Sequence, residues 1–152
     1  MSTSNANQLL NDLLIELHRS LLQYLAEAWP WISDDSRDLK AAVLNVVEHQ
    51  REDVGKIVHL LNERRHPIDF GMYPAEYSSL HYVALEFALN RLQHHQRTLV
   101  QWIEGLQSDP ELQFDSQAQE LVREIAASQR TGLERLEKVE LPGGTKQVAW
   151  MK

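Results

Sequence analysis

Apolar residues recur along most of this chain at intervals of four and three, the repeat that lines one face of an α-helix. Leu10, Leu14, Leu17, Leu21, Tyr24 and Ala28 form one such seam, closed by Pro30. Leu39, Val43, Val46, Ile57 and Leu60 form a second, and Leu85, Leu92, Leu99 and Leu106 mark a third. Ala118, Val122, Ile125, Leu136 and Val139 mark a fourth. Glycine and proline fall between these segments. The spacing predicts helices over about 7–29, 36–65, 79–105 and 111–140, with a tail over 141–152 that is mobile unless Val148 and Trp150 dock. Asp35 or Ser36 is the expected cap of the second helix, which should stop before Pro67. Asp109 with Pro110 and Glu111 is a start signal for the fourth, which can also restart at Asp115 or Ser116. No segment alternates with period two, so strands are not expected.

Four stripes of similar length are buried most simply in a bundle, which predicts an all-α, single-domain, antiparallel four-helix bundle. The link over 66–79, "HPIDFGMYPAEYSS", exceeds the two to eight residues usual between helices of a bundle. It is therefore the expected crossover between the second and third helices. Its Ile68, Phe70, Met72 and Tyr73 should lie against the body of the protein.

The seams are interrupted at one level. In the second helix the positions between Val46 and Ile57 are Gln50 and Asp53. At the middle of the third, the row Leu85, Ala88, Leu92, Leu99, Trp102 takes His95, whereas the row through Leu89 and Ile103 takes Gln96. Gln129, beside Ser128, holds the midpoint of the fourth, and Tyr24 can reach the same level from the first. Tyr24, Gln50, Asp53, His95, Gln96 and Gln129 are thus expected to meet in a buried polar layer. Each group there needs a partner or costs about 1–3 kcal/mol. Asp53 should accept a hydrogen bond from His95, Gln96, Gln129 or Tyr24.

On these residues the chain resembles the ferritin-like superfamily, whose bundle has its long crossover between the second and third helices. Members with two metal ions use a Glu from each of two helices and Glu-x-x-His from each of the other two. Here Leu17 stands seven before Tyr24, where the first Glu would be, and His95 stands at the third-helix Glu position. Gln50 with Asp53, and Gln129 with Gly132, stand at the two Glu-x-x-His positions. The resemblance implies the bundle with its di-metal site degenerate or absent, no cofactor, and a structural, regulatory or interaction role. The alternative is an iron- or manganese-binding oxidoreductase or storage bundle with an unusual site, for which Asp53 and His95 are the remaining ligands. A DinB-like bundle would use His49 and a later His-x-x-x-His pair, but the fourth helix has no histidine and His94–His95 lacks a partner four residues away.

Other polar groups have plainer readings. Glu48, His49, Glu52, Lys56 and His59 make a solvated face. Glu16 and His18 flank the first seam, and Trp29 and Trp31 close an end of the core or serve a homodimer contact together with Trp150. The 152 residues are 43% hydrophobic and 24% charged, with no cysteine. Together with an N-terminus lacking a signal-type stretch, this points to the cytoplasm. No apolar run approaches a membrane span. A net charge of -7 argues against nucleic acid as partner.

Overall fold

The second seam does form one long helix, but the first is broken. The computed structural model describes residues 2–27, 37–82 and 85–139. Among these residues there are five α-helices and no strand: α1 (Ser2–His18), α2 (Leu21–Glu27), α3 (Arg37–Glu63), α4 (Leu85–Leu106) and α5 (Ser116–Glu137). The expected caps Asp35 and Ser36, the tryptophans Trp29, Trp31 and Trp150, and the tail 141–152 lie outside the described residues.

The break between α1 and α2 has a local cause. The Arg19 N–H closes α1 on the Ile15 carbonyl at 2.9 Å. Ser20 then starts a new helix: its Oγ accepts from the Gln23 N–H at 3.3 Å and its carbonyl from the Tyr24 N–H at 3.1 Å. The Ser-Leu-Leu-Gln run is a capping-box pattern inside an otherwise continuous apolar seam.

α3 ends two residues short of the expected Arg65, in a Schellman turn. The His66 N–H reaches back to the Leu61 carbonyl and the Arg65 N–H to that of Asn62, both at 3.0 Å. Arg65 takes the left-handed φ of 56° that glycine usually supplies there. The chain then crosses along α1. Asn11 exchanges two hydrogen bonds with the Asp69 backbone, and Arg19 Nε donates to the carbonyls of Phe70 and Gly71. Gly71 has φ +68°, and a Cβ on it would stand 2.7 Å from Ile15 Cγ2, so this contact requires glycine. Ile68 and Tyr73 are partly buried here, while Met72, expected against the body, is 86% exposed. Residues Ala75–Tyr82 are 3-10 helix, so the expected helical start at Ser79 is replaced by α4 from Leu85.

Pro110–Leu112 is likewise a separate 3-10 turn, capped by Asp109, and α5 restarts at Ser116. Its cap is Asp115, whose Oδ1 accepts from the Ala118 N–H at 3.1 Å. The same carboxylate takes both arms of Arg64, at 2.7 and 2.8 Å, and Arg64 also donates to Asn7 Oδ1 at 2.8 Å. The end of α3 is thereby tied to the starts of α1 and α5. Farther along, Gln23 meets Val47, Gln50 meets Gln129, and Arg130 pairs with Glu104. These registers make α3 antiparallel to α1 and to α5, and α5 antiparallel to α4.

The buried hydrocarbon divides into two clusters. One contains Leu10, Leu14, Leu17, Ile57, Leu61, Ile103 and Ile125, and the other Leu22, Leu25, Val43, Val47, Leu92 and Leu136. What separates them is polar.

Candidate functional site

The division falls where the helical seams carry amides. Ser20, Gln23, Gln50, Asp53, Gln96 and Gln129 are each at most 4% exposed. They form a continuous chain of hydrogen bonds through the molecule. At one end Arg51 Nε donates to Gln23 Oε1 at 3.2 Å. Gln23 Nε2 donates to the Val47 carbonyl at 3.0 Å and to Gln50 Oε1 at 3.1 Å, and Ser20 Oγ donates to the same Oε1 at 2.8 Å. Gln50 Nε2 passes on to Gln96 Oε1 and to Gln129 Oε1, both at 3.2 Å. Gln96 Nε2 donates to Gln129 Oε1 at 2.9 Å and to the Gln129 carbonyl at 3.1 Å. Gln129 Nε2 ends the chain on Asp53 Oδ2 at 2.8 Å.

The chain has a direction. Arg51 can only donate and an ionised Asp53 can only accept, so every amide between them has one satisfactory orientation. Turning any of them over would set oxygen against oxygen. Burial raises the Asp53 pKa, opposed by the hydrogen bonds from Gln129 and Ser128 and by the charges of Lys56 and His49. Lys56 Nζ lies 3.9 Å from Asp53 Oδ1. The carboxylate also lines a groove of about 300 Å³ between α3 and α5, with His49, Lys56, Ser128 and Arg135. Gly132 lets the two helices approach, since a Cβ there would lie 3.0 Å from Val46 Cγ1.

Four of the six residues expected in the layer, Gln50, Asp53, Gln96 and Gln129, are brought together, and the donor to Asp53 is Gln129. His95 and Tyr24 are placed elsewhere. α4 buries the row through Leu89, Gln96 and Ile103, and this turns His95 to a half-buried position beside the crossover. There its Nε2 lies 2.7 Å from the Tyr77 hydroxyl, so the expected Asp53–His95 pairing is not made. Tyr24 packs edge-on to Tyr73 and tilted to Tyr77, with ring centroids 5.2 and 5.7 Å apart. Arg19 lies over the Tyr73 ring, and the Tyr73 hydroxyl donates to Glu27 Oε1 at 2.8 Å.

Two members of the layer, Ser20 and Gln23, were outside the sequence expectation, because a continuous seam through Leu21 and Tyr24 turns both away from the core. The capping-box pattern at Ser20 was the available signal, since a new helix start resets the face. Of the remaining polar groups, His49 Nδ1 is bonded to the Asn45 carbonyl at 2.8 Å and His59 pairs with Glu63 at 3.3 Å. His18 packs on Phe70. Among the described residues no three His, Asp or Glu side chains converge as metal ligands, and no helix is long and apolar enough to cross a membrane. Comparison with protein families, with characterised proteins and with solved structures finds no match to this chain.

Proposed function

We propose that the chain is a ferritin-like four-helix bundle in which amides replace the di-metal layer, and that its role is structural, regulatory or in protein interaction rather than catalytic. In this reading α1 and α2 together are the first helix, α3, α4 and α5 are the other three, and residues 64–82 belong to the crossover. The antiparallel pairs α1–α3, α3–α5 and α4–α5 support it, because they set α3 and α4 parallel, and only a long connection can join consecutive helices that run the same way.

The single observation that carries the reading is the closed amide chain at the axial level. The residues present do not fit a di-metal centre. Gln50 and Gln129 hold the Glu positions of the two Glu-x-x-His pairs, and each side-chain oxygen already accepts two hydrogen bonds. Gly132 has no ligand atom, and Leu17 is fully buried hydrocarbon. Asp53 is the carboxylate within the buried amide chain, and a single carboxylate with neutral amides is a poor donor set for iron or manganese. A cytoplasmic location, no nucleic-acid partner and a homodimer belong to the same reading. The absence of cysteine and the net charge of -7 support the first two.

Elemental analysis of protein purified without chelator, followed by iron and manganese titration, tests the proposal. Well under one equivalent of bound metal is the expected result. Two ions held between α3 and α5 would establish the metal-dependent alternative instead.

A further inference from the structure

A second place in the fold gathers chemistry that the amide layer does not use. A cavity of about 410 Å³ lies between the Ala75–Tyr82 segment, α2 and α4. Its inner lining is the buried Leu21 with the half-buried Tyr77 and His95, and its mouth is formed by the exposed Glu76, Asn90, Arg91 and His94. Carbon makes up most of the wall.

The inner polar pair is uncharged. Burial, with the charges of Glu16 and Glu76, pushes the Tyr77 phenol up to about 12. Burial and then the neighbouring His94 lower the pKa of His95. Near neutral pH the phenol and a neutral imidazole therefore share a hydrogen bond across 2.7 Å. The strong charge is at the mouth. Arg91 makes no ion pair or hydrogen bond among the described residues, whereas Arg97 on the same helix pairs with Glu137 at 3.0 Å and Arg130 with Glu104 at 2.7 Å. Asn90 and His94 are equally without a hydrogen-bond partner among the described residues.

We propose that this cavity binds a small organic monoanion with an apolar body, an aromatic or branched-chain carboxylate, whose body lies on Leu21 and the Tyr77 ring and whose carboxylate is received by Arg91. The volume falls in the range of small-molecule sites, about 300–1,000 Å³, which combine carbon walls with a few orienting polar groups. Inorganic phosphate would leave the carbon wall unused. An organic cation would meet Arg91 and His94 at the mouth, with Glu76 as the one lining acid among the described residues. A guanidinium can hold a carboxylate through two parallel hydrogen bonds, with Asn90 and His94 as further donors.

The test is a titration of the full ¹⁵N-labelled chain with phenylacetate, and in parallel with 2-phenylethylamine and 2-phenylethanol, followed by amide spectra. At about ten non-hydrogen atoms and an ordinary affinity per atom, phenylacetate should saturate with a Kd of about 1–10 mM or tighter. Its shifts should centre on residues 76–77 and 90–95, and the amine should bind at least about tenfold more weakly. Arg91→Gln should weaken phenylacetate by about tenfold, and Asn90→Trp, which fills the mouth, should abolish saturable binding. Both substitutions are at exposed positions, and an unchanged melting curve verifies the fold. Failure of phenylacetate to saturate, equal binding of the amine, or an affinity untouched by Arg91→Gln and Asn90→Trp would each overturn the proposal.

Discussion

Replacing Gln50 by leucine asks whether the amide chain contributes as a connected unit. Gln50 is fully buried and makes four side-chain hydrogen bonds, two accepted and two donated. Its removal does not affect all four partners equally. Gln129 Oε1 keeps the donor Gln96 Nε2, and Gln23 Nε2 keeps the Val47 carbonyl. Among the described residues, Gln96 Oε1 loses its only donor and the Ser20 hydroxyl loses its only acceptor. Two stranded groups at about 1–3 kcal/mol each are offset by the burial of leucine, worth up to about 1.5–3 kcal/mol. The expected net loss is about 1–3 kcal/mol, or a fall in Tm of about 2–12 °C for a chain of this size. Replacing the connected set together, as Gln50→Leu, Asp53→Val, Gln96→Leu and Gln129→Leu, removes Gln96 Oε1 from the stranded groups, leaves the Ser20 hydroxyl without Gln50, and joins the two hydrocarbon clusters into one. That variant should cost no more than Gln50→Leu alone, since apolar replacement of a buried polar network is often neutral or better. Urea melts read at constant m-value measure both. A Gln50→Leu effect below about 0.5 kcal/mol, or a fourfold variant whose cost is the sum of its single changes, would refute the reasoning.

Asp115→Ala removes the α5 cap and leaves the guanidinium of Arg64 without its carboxylate, and should cost about 2–4 kcal/mol at pH 7 in a urea melt. Hydrogen bonds from Arg64, then the Ala118 N–H and the Arg64 charge, hold the Asp115 pKa below its usual 3.8 against burial. Its contribution is therefore present above about pH 4 and is lost as pH falls through the lowered value. Asp53 has the opposite sign: with its pKa raised, protonation-linked stability is full below 3.8 and lost as pH rises through the raised value. Asp53→Asn has no such loss, so its stability relative to the parent should improve between about pH 4 and pH 7, and a pH-independent difference would count against the buried carboxylate. Gly71→Ala combines a left-handed φ with the close contact to Ile15, and should cost about 1–3 kcal/mol and speed proteolysis of the 66–74 segment.

Four-and-three spacing was sufficient to place the inner faces of α3 and α5, because on each helix a single row carries both the apolar positions and the polar interruption. It was insufficient in α4, where the rows through His95 and Gln96 satisfy the same period. The choice is made across the interface, by the oxygen and carbonyl of Gln129 that Gln96 can reach. The first helix misled for a different reason. Period alone treats Leu17 to Tyr24 as continuous, while the Ser20 hydroxyl competes for backbone donors and starts a new helix. The left-handed turn at Arg65 had no glycine to announce it. The cavity beside Tyr77 exists only where the crossover leaves α4, a distance relation that no local pattern encodes.

The layer also explains how one alignment of the helices is preferred over its neighbours. Hydrocarbon seams alone tolerate a slide of one helical turn, because leucine meets leucine again one turn farther along. Here a slide of α5 against α3 would move Gln129 away from both Gln50 and Asp53 and set it among Val54 and Ile57, or Val46 and Val47, depending on direction. At least two buried polar groups would then lack partners, at about 1–3 kcal/mol each. The chain of amides extends the same penalty to α2 through Gln23 and to α4 through Gln96, so each helix is registered to the others at one level. The Arg64–Asp115 pair repeats the constraint at the far end of α3 and α5. Two polar fixings more than two turns apart on the same helix pair resist rotation as well as sliding. The hydrocarbon on either side of the layer is then free to supply stability without also having to specify the arrangement.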